Sequence, residues 1–457
     1  MAIVNVGFLQ DLLHTITQRD SRAMRRARQR GLPDSAADLI DACRTLMDSD
    51  GEASSIALAQ RALDIYKSLA TDEKKAFFQS LARDFSADRV AIEQAYGAWQ
   101  SHHDEATLGQ LFAACEPARQ ELLRRLNLPA GGTLELVRMR QTLLEVMGDD
   151  PELRAVDADF QHLFGSWFNR GFLVLRRIDW QTPAAILEKI IAYEAVHAIS
   201  DWQDLRRRLD QRDRRCFAFF HPATGDEPLI FVEVALEPAI PERVQAILDE
   251  DTDGAADDGP LTTAAFYGIS NCQRGLRGIS FGNFLIKQVV TELSRELPDL
   301  RQFVTLSPMP GFRRWLDELR RAEPARLDAE TLATLDRLDD PDWVDDPSTQ
   351  EALAGPLRAL AAHYLGVAKR RGNTPLDPVA NFHLGNGARL ERINFLGDRS
   401  AKGLETAAGM MVNYLYVPDE IERNHERFTA DGHITQSSNV RDLSRRARKM
   451  IQENPAP

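Results

Sequence analysis

Apolar residues in the first 150 or so positions recur at intervals of three and four, as in SSIALAQRALDIYKSLA from Ser54 to Ala70. That period lines up apolar side chains on one face of a helix. Ala, Leu, Arg and Glu dominate the region and β-branched residues are few, so helix propensity points the same way. Pro33, Pro117, Pro129 and the pair Gly131-Gly132 punctuate it like turns between bundle helices. The pattern predicts an all-helical bundle over residues 1–164, serving assembly or support, and no chemical motif falls within it.

From about Phe164 the texture changes. FLVLRRIDW reads as a short strand and PAAILEKIIAYEAVHAI as a helix. CFAFFHP and LIFVEVAL flank the turn-forming ATGDEP, which predicts a hairpin whose strands are buried on both faces. An acidic loop from Asp249 to Pro260 precedes another strand, TTAAFYGIS. NCQRGLRGISFGNFLIKQVVTELSREL and FVTLSP then give the order strand, glycine-rich loop, helix, strand. Leu285, Ile286, Val289, Val290, Leu293 and Leu297 share one face of that helix, with Asn283 as its N-cap. A charged, mostly helical insertion lies between Trp315 and Gly366. The later half of the segment from Pro378 to Pro418 should supply further strand and loop, and the last forty residues are polar and end in a surface helix. The fold class is α+β, with a second domain over residues 165–457.

Composition narrows the class. With 43% apolar and 27% charged residues in a chain of 457, the profile is that of a soluble protein of two or three domains. No apolar run approaches the roughly 20 residues of a membrane span. The N-terminus has no secretory pattern, and the Arg-rich stretch Arg19 to Arg30 is interrupted by Asp20, against a transit peptide. The final NPAP is no peroxisomal address, so the expected location is cytoplasmic. Cys43, Cys115, Cys216 and Cys272 are scattered, with no zinc, redox or disulfide spacing. A formal charge of −13 speaks against nucleic acid as the main partner. One basic cluster, Arg206, Arg207, Arg208, Arg212, Arg214 and Arg215, is either a solvated helix end or a landing surface for a polyanion such as the phosphates of coenzyme A.

The candidate chemistry lies in the second half. Arg277-Gly278-Ile279-Ser280-Phe281-Gly282-Asn283 sits where a helix begins after a strand. Free backbone N–H groups and the positive end of the helix dipole make such a turn an anion cradle, to which Arg274, Arg277 and Lys287 can add charge. It is neither a Walker loop nor a Rossmann fingerprint. It resembles the pyrophosphate loop of the GNAT acyltransferase fold, although many glycine turns are merely turns. Ser307, in Ser-Pro-Met-Pro-Gly-Phe at a strand end, is by motif alone a turn-capping hydroxyl. No G-x-S-x-G elbow accompanies it. His383 lies in Asn-Phe-His-Leu-Gly-Asn-Gly-Ala, a tight polar loop by its composition, and none of the ten histidines has metal-binding spacing. Tyr416 is by default a core or rim aromatic.

Several blocks together resemble the malonyl-CoA decarboxylase family: DWQDLRRRLDQRDRRCFAFFHP, EPLIFVEVAL, RGLRGISFGNFLIKQVV, LSPMPGFRRWL, PVANFHLGNGARLERIN and GMMVNYLY. They span about residues 165 to 420. The resemblance implies a helical domain used in oligomer assembly, a tetramer built from dimers, and a GNAT-like catalytic domain. It implies catalytic roles for Ser307 and His383, an active-site role for Tyr416, and a coenzyme A loop over Arg277, Gly278, Ile279, Ser280, Phe281, Gly282 and Asn283. Some members carry an acidic residue where this chain has Ser280.

The implied reaction, malonyl-CoA to acetyl-CoA and CO2, belongs to fatty acid and malonate metabolism. It needs no cofactor and no metal, because the thioester is its own electron sink. The expected partners are therefore malonyl-CoA and acetyl-CoA, with neither nucleic acid nor membrane. Two rivals stand beside it: a GNAT acyltransferase acting on an amine, and a non-catalytic acyl-CoA sensor.

Overall fold

The computed structural model describes residues 35–248, 260–279, 285–370 and 373–451. Its described residues divide into two compact units. The division is not a single cut: one unit holds residues 35–174 together with 220–227 and 273–279, and the other holds the rest.

The first unit is helical, as the periodicity predicts. Its helices are α1 (Ala36–Met47), α2 (Glu52–Ser68), α3 (Thr71–Asp84), α4 (Arg89–His102), α5 (Glu105–Cys115), α6 (Ala118–Leu126), α7 (Gly132–Val146) and α8 (Pro151–Trp167). Side-chain oxygens of Ser35, Asp88, Asp104 and Asp150 accept from the first free backbone N–H groups of α1, α4, α5 and α8. These bonds set where the helices start. Leu39, Leu63, Phe77, Phe78, Leu122, Leu143, Phe160 and Phe164 form its core. The hairpin of α4 and α5 stands apart from that core. Only Ala95 of α4 is buried and no residue of α5 is, while Val90, Tyr96 and Phe112 are 61%, 47% and 70% exposed.

One charge lies deep in this unit. Arg140 on α7 is 1% exposed and pairs with Asp157 on α8 at 2.7 Å. Its Nη1 donates to the carbonyls of Gly275 and Arg277 at 2.7 and 2.8 Å. Gly275 packs so closely on α7 that a Cβ there would collide with the Val137 carbonyl. The glycine is therefore needed for approach, not for an unusual backbone angle.

The second unit is built on a mixed sheet: β1 (Val174–Ile178), β2 (Arg214–Phe220), β3 (Pro228–Glu237), β4 (Thr263–Asn271), β5 (Gln302–Thr305), β6 (Ser307–Pro308), β7 (Arg389–Asn394) and β8 (Met411–Tyr416). Strands β1 to β5 are neighbours in chain order, β8 pairs with both β5 and β6, and β7 pairs with β8. The predicted hairpin is β2 and β3, and nearly every residue of both is buried. β3 and β4 are antiparallel, with a bulge opposite Glu233 and Val234. β4 and β5 are parallel, joined by the predicted helix α12 (Leu285–Glu296), which follows α9 (Ala184–Tyr193), α10 (Trp202–Asp210) and α11 (Gln245–Leu248). Leu285, Ile286, Val289, Val290 and Leu293 are its buried face, whereas Leu297 lies just past its end. The charged insertion forms α13 (Phe312–Arg320), α14 (Ala329–Leu335) and α15 (Pro347–Gly366). α16 (Pro378–Gly385), α17 (Ala401–Ala407), α18 (Ile421–Asp431) and α19 (Ser438–Met450) complete the unit. The α+β expectation holds, and α17 is a helix where the sequence pattern gave loop.

Arg140 yields a stability prediction. Arg140→Met keeps the bulk but strands the buried Asp157 carboxylate, and breaking such a pair costs about 3–5 kcal/mol. Urea denaturation should show that loss. Arg138→Met, at an arginine with an exposed side chain on the same helix, should stay within about 0.5 kcal/mol of wild type.

Candidate functional site

β5 and β6 are one extended segment with an interruption. Phe303 opposes Tyr416, Val304 opposes Leu415, Ser307 opposes Val412, and Pro308 opposes Met411, which is one continuous register. Thr305 therefore faces Tyr414 across the gap. The ladder breaks there because side chains take the backbone groups. The Tyr414 N–H donates to Thr305 Oγ1 at 3.2 Å, and the Thr305 carbonyl accepts from Asn413 Nδ2 at 2.8 Å.

Alternate residues of a strand share a face, so Thr305, Ser307, Tyr414 and Tyr416 project together. On the opposite face Asn413 sits between two apolar clusters, one of Ala235, Val244, Tyr267, Leu306 and Met411 and another of Ala265, Val304 and Leu415.

His383 reaches this face from α16. Here the structure corrects the sequence reading: His383 sits in the last turn of a helix, and the polar loop begins only after Gly385. The helix starts at Asp377, whose Oδ1 accepts the N–H groups of Val379 and Ala380 at 2.9 Å, with Pro378 in the first turn. An Asp directly before a Pro is a helix-start signal that the sequence carries. Asp377 is fully buried and also accepts from the Tyr364 hydroxyl at 3.2 Å, which ties α16 to α15.

The three side chains singled out from sequence meet. His383 Nε2 lies 3.2 Å from Ser307 Oγ, and Nδ1 lies 2.8 Å from the Tyr416 hydroxyl. Ser307 Oγ donates onward to Thr305 Oγ1 at 2.9 Å. The imidazole stacks on the Tyr414 ring at 4.7 Å and 26°. Exposures of 6%, 3% and 2% for Ser307, His383 and Tyr416 put the chain of hydrogen bonds out of contact with bulk water. Burial disfavours charge on each group. It holds His383 down to about 3, so the ring is neutral near pH 7, and it pushes the Tyr416 phenol well above its ordinary value. Sequence reasoning missed Thr305 and Tyr414. Their spacing of two from Ser307 and Tyr416 on predicted strands was the available signal.

The expected coenzyme A loop is only partly described. Arg277, Gly278 and Ile279 belong to the helical unit, where Arg140 holds the Arg277 carbonyl and Gly278 adopts a φ of +81°. Ser280, Phe281, Gly282 and Asn283 lie outside the described residues. Lys287, expected to add charge to the loop, forms an ion pair with Glu422.

The arginine cluster is largely spent on internal pairs. Arg206 pairs with Asp210, Arg208 is buried against Asp204 and Glu233, Arg214 bonds Asp213 and the Ile247 carbonyl, and Arg215 pairs with Glu296. That removes most of the proposed phosphate-landing surface. Among the described residues no group of three or more His, Cys, Asp or Glu side chains is placed to hold a metal, and no helix is long and apolar enough to cross a membrane.

The site is a buried imidazole held between two hydroxyls on a mixed sheet, an arrangement whose chemistry suits proton transfer. The family model for the malonyl-CoA decarboxylase C-terminal domain matches residues 171–454, and that for the N-terminal domain matches residues 85–168. The mitochondrial malonyl-CoA decarboxylase of Anser anser anser is 37% identical over 409 residues, covering 82% of this chain and 81% of the relative. The crystal structure of malonyl-CoA decarboxylase from Rhodopseudomonas palustris matches with a TM-score of 0.86 and 52% identity, over 90% of this chain and 100% of that one. That from Cupriavidus metallidurans matches with a TM-score of 0.69 and 37% identity, over 89% and 99%. The chain belongs to the malonyl-CoA decarboxylase family.

A pH dependence follows from the buried imidazole. The unfolded chain protonates its histidines near pH 6.5, whereas folded His383 does so near 3. Between those values the unfolded state binds more protons, so stability rises with pH up to about 6.5 and is lost as pH falls toward 3. Denaturation midpoints measured from pH 4.5 to 7 should show a shallower slope in His383→Gln than in wild type, by up to about 1.4 kcal/mol per pH unit.

Proposed function

We propose that the chain decarboxylates malonyl-CoA to acetyl-CoA and CO2, with His383, Ser307 and Tyr416 as its reacting centre. The single observation that carries this reading is the buried chain Tyr416–His383–Ser307, with contacts of 2.8 and 3.2 Å. Cleavage of the bond between Cα and the carboxylate leaves its electron pair on the thioester as an enolate, and CO2 departs. The protein has to stabilise that charge, hold the breaking bond in line with the carbonyl π system, and return one proton to Cα. On substrate binding Ser307 turns its one hydroxyl hydrogen from Thr305 Oγ1 to the malonyl carboxylate or the thioester oxygen, where each well-placed donor is worth about 3–4 kcal/mol. His383 supplies the proton. It is neutral at rest because it is buried, and arrival of the malonyl carboxylate in the same water-poor space favours its protonated form. Tyr416 fixes the ring through Nδ1.

The anion-cradle residues Arg277, Gly278, Ile279, Ser280, Phe281, Gly282 and Asn283 hold the coenzyme A diphosphate in this reading. No cofactor or metal takes part, since the thioester accepts the electron pair. A homotetramer of paired dimers is the proposed assembly. The apolar side chains left open on the α4 and α5 hairpin support a helical-unit contact between copies. A cytoplasmic location goes with it.

The direct test is malonyl-CoA turnover by EDTA-treated protein without added cofactor. Equal amounts of CO2 and acetyl-CoA are expected; free coenzyme A released only when an amine is present would favour an acyltransferase instead. His383→Asn should lower kcat by about 10²–10⁴-fold with little change in malonyl-CoA affinity. Ser307→Ala should also act on kcat more than on affinity, and unaltered turnover in both variants would remove the assignment.

A further inference from the structure

We propose that Thr305 is a positioning residue that decides which nitrogen of His383 carries the proton. Ser307 has one hydroxyl hydrogen. The geometry makes Ser307 the donor to Thr305 Oγ1, at 2.9 Å. Toward His383 Nε2, at 3.2 Å, Ser307 then offers only a lone pair, so Nε2 must bear the hydrogen. In a neutral ring the other nitrogen is bare. Nδ1 accordingly accepts from the Tyr416 hydroxyl at 2.8 Å. The direction runs from Tyr416 through the imidazole to Ser307 and ends on Thr305.

Thr305 can end the chain because it is held in place. It is fully buried, and its Oγ1 also accepts the Tyr414 N–H. Asn413 grips its carbonyl. The next residue, Leu306, donates its N–H to the Phe266 carbonyl at 2.9 Å. Asn413 in turn cannot flip, because its Oδ1 accepts from Arg392 Nε at 3.1 Å and Asn394 Nδ2 at 2.8 Å. The reverse polarity would need the Ser307 hydrogen on Nε2 and would leave Thr305 Oγ1 without its side-chain donor. A break in the strand ladder thus sets the tautomer of a ring on a different element, and it puts the movable proton on the Ser307 side.

The consequence for turnover rests on the decarboxylase reading, but the tautomer does not, and the experiment separates them. The full chain is labelled with ¹⁵N-histidine, and the His383 resonances are identified by their loss in His383→Asn. Wild type should show Nε2–H with bare Nδ1 at neutral pH. In Thr305→Val the Ser307 hydrogen is released to turn to Nε2, and the ring should switch to Nδ1–H. Its kcat should fall by about 10²-fold, the lower scale of a misdirected acid–base group, with KM little changed. Thr305→Ser should restore both the tautomer and the rate. Where Thr305→Val does not fold, Thr305→Cys keeps similar bulk with only a weak acceptor and should show the same switch. Nδ1–H in the wild type overturns the proposal whatever the variants do, and so does Nε2–H retained in Thr305→Val or Thr305→Cys. A wild-type protein that releases no CO2 would instead remove the decarboxylase reading and leave the tautomer result standing.

Discussion

The arrangement around His383 depends on one local exchange: at Thr305, side chains replace backbone in the pairing with β8. A regular ladder would spend the Tyr414 N–H and the Thr305 carbonyl on each other's strands and leave Thr305 Oγ1 without the N–H that holds it in place. Here Thr305 Oγ1 takes the N–H and Asn413 takes the carbonyl. No buried backbone group in the exchange is orphaned, which is the condition for a break this deep in a sheet to be tolerated. The register survives on both sides, so Ser307 and Tyr416 still share a face. What the break adds is a hydroxyl acceptor two residues before Ser307.

The second condition is dryness. A histidine at the end of a helix gains from the negative end of the dipole when charged, an effect of about 0.3–2 kcal/mol. Burial of His383 outweighs it and keeps the ring neutral. The ring is paired at both nitrogens by groups that are themselves uncharged, so among the described residues no charged group bonds it at rest. A charge brought in by a ligand would meet little competition and would interact far more strongly than in water. A centre of this kind is set by the arriving anion.

Much of this was legible in the sequence, and the limits have physical causes. Three- and four-residue spacing announces the helical unit, and the buried hairpin of β2 and β3 follows from two apolar runs around a turn. The residues Ser307, His383 and Tyr416 came from a family resemblance. Their meeting point did not, because a contact across 76 positions in sequence has no local signature. The helix α16 was readable from Asp377-Pro378 but was masked by Gly385, Asn386 and Gly387, whose composition says loop although only the last two lie beyond the helix. The arginines from Arg206 to Arg215 read as one basic patch. Only the fold shows that Arg208 and Arg214 point inward to buried partners.

Arg140 shows the same limit in the helical unit. On a helix surface an arginine is usually solvated, and nothing in its neighbours marks it as buried. The structure spends it on Asp157 and on two carbonyls of the segment Gln273 to Ile279, which lies more than a hundred residues further along the chain. A buried guanidinium costs several kcal/mol in lost hydration, and replacing such a pair by apolar groups is often neutral or stabilising. Stability alone therefore does not account for it. What apolar packing cannot supply is direction: one guanidinium donating to two carbonyls fixes the backbone path of a turn that Leu276 and Ile279 anchor only by their side chains. The turn it fixes includes the first residues of the anion cradle read from the sequence. The helical unit thereby fixes Arg277 to Ile279, the described part of that segment, as well as supporting its own fold.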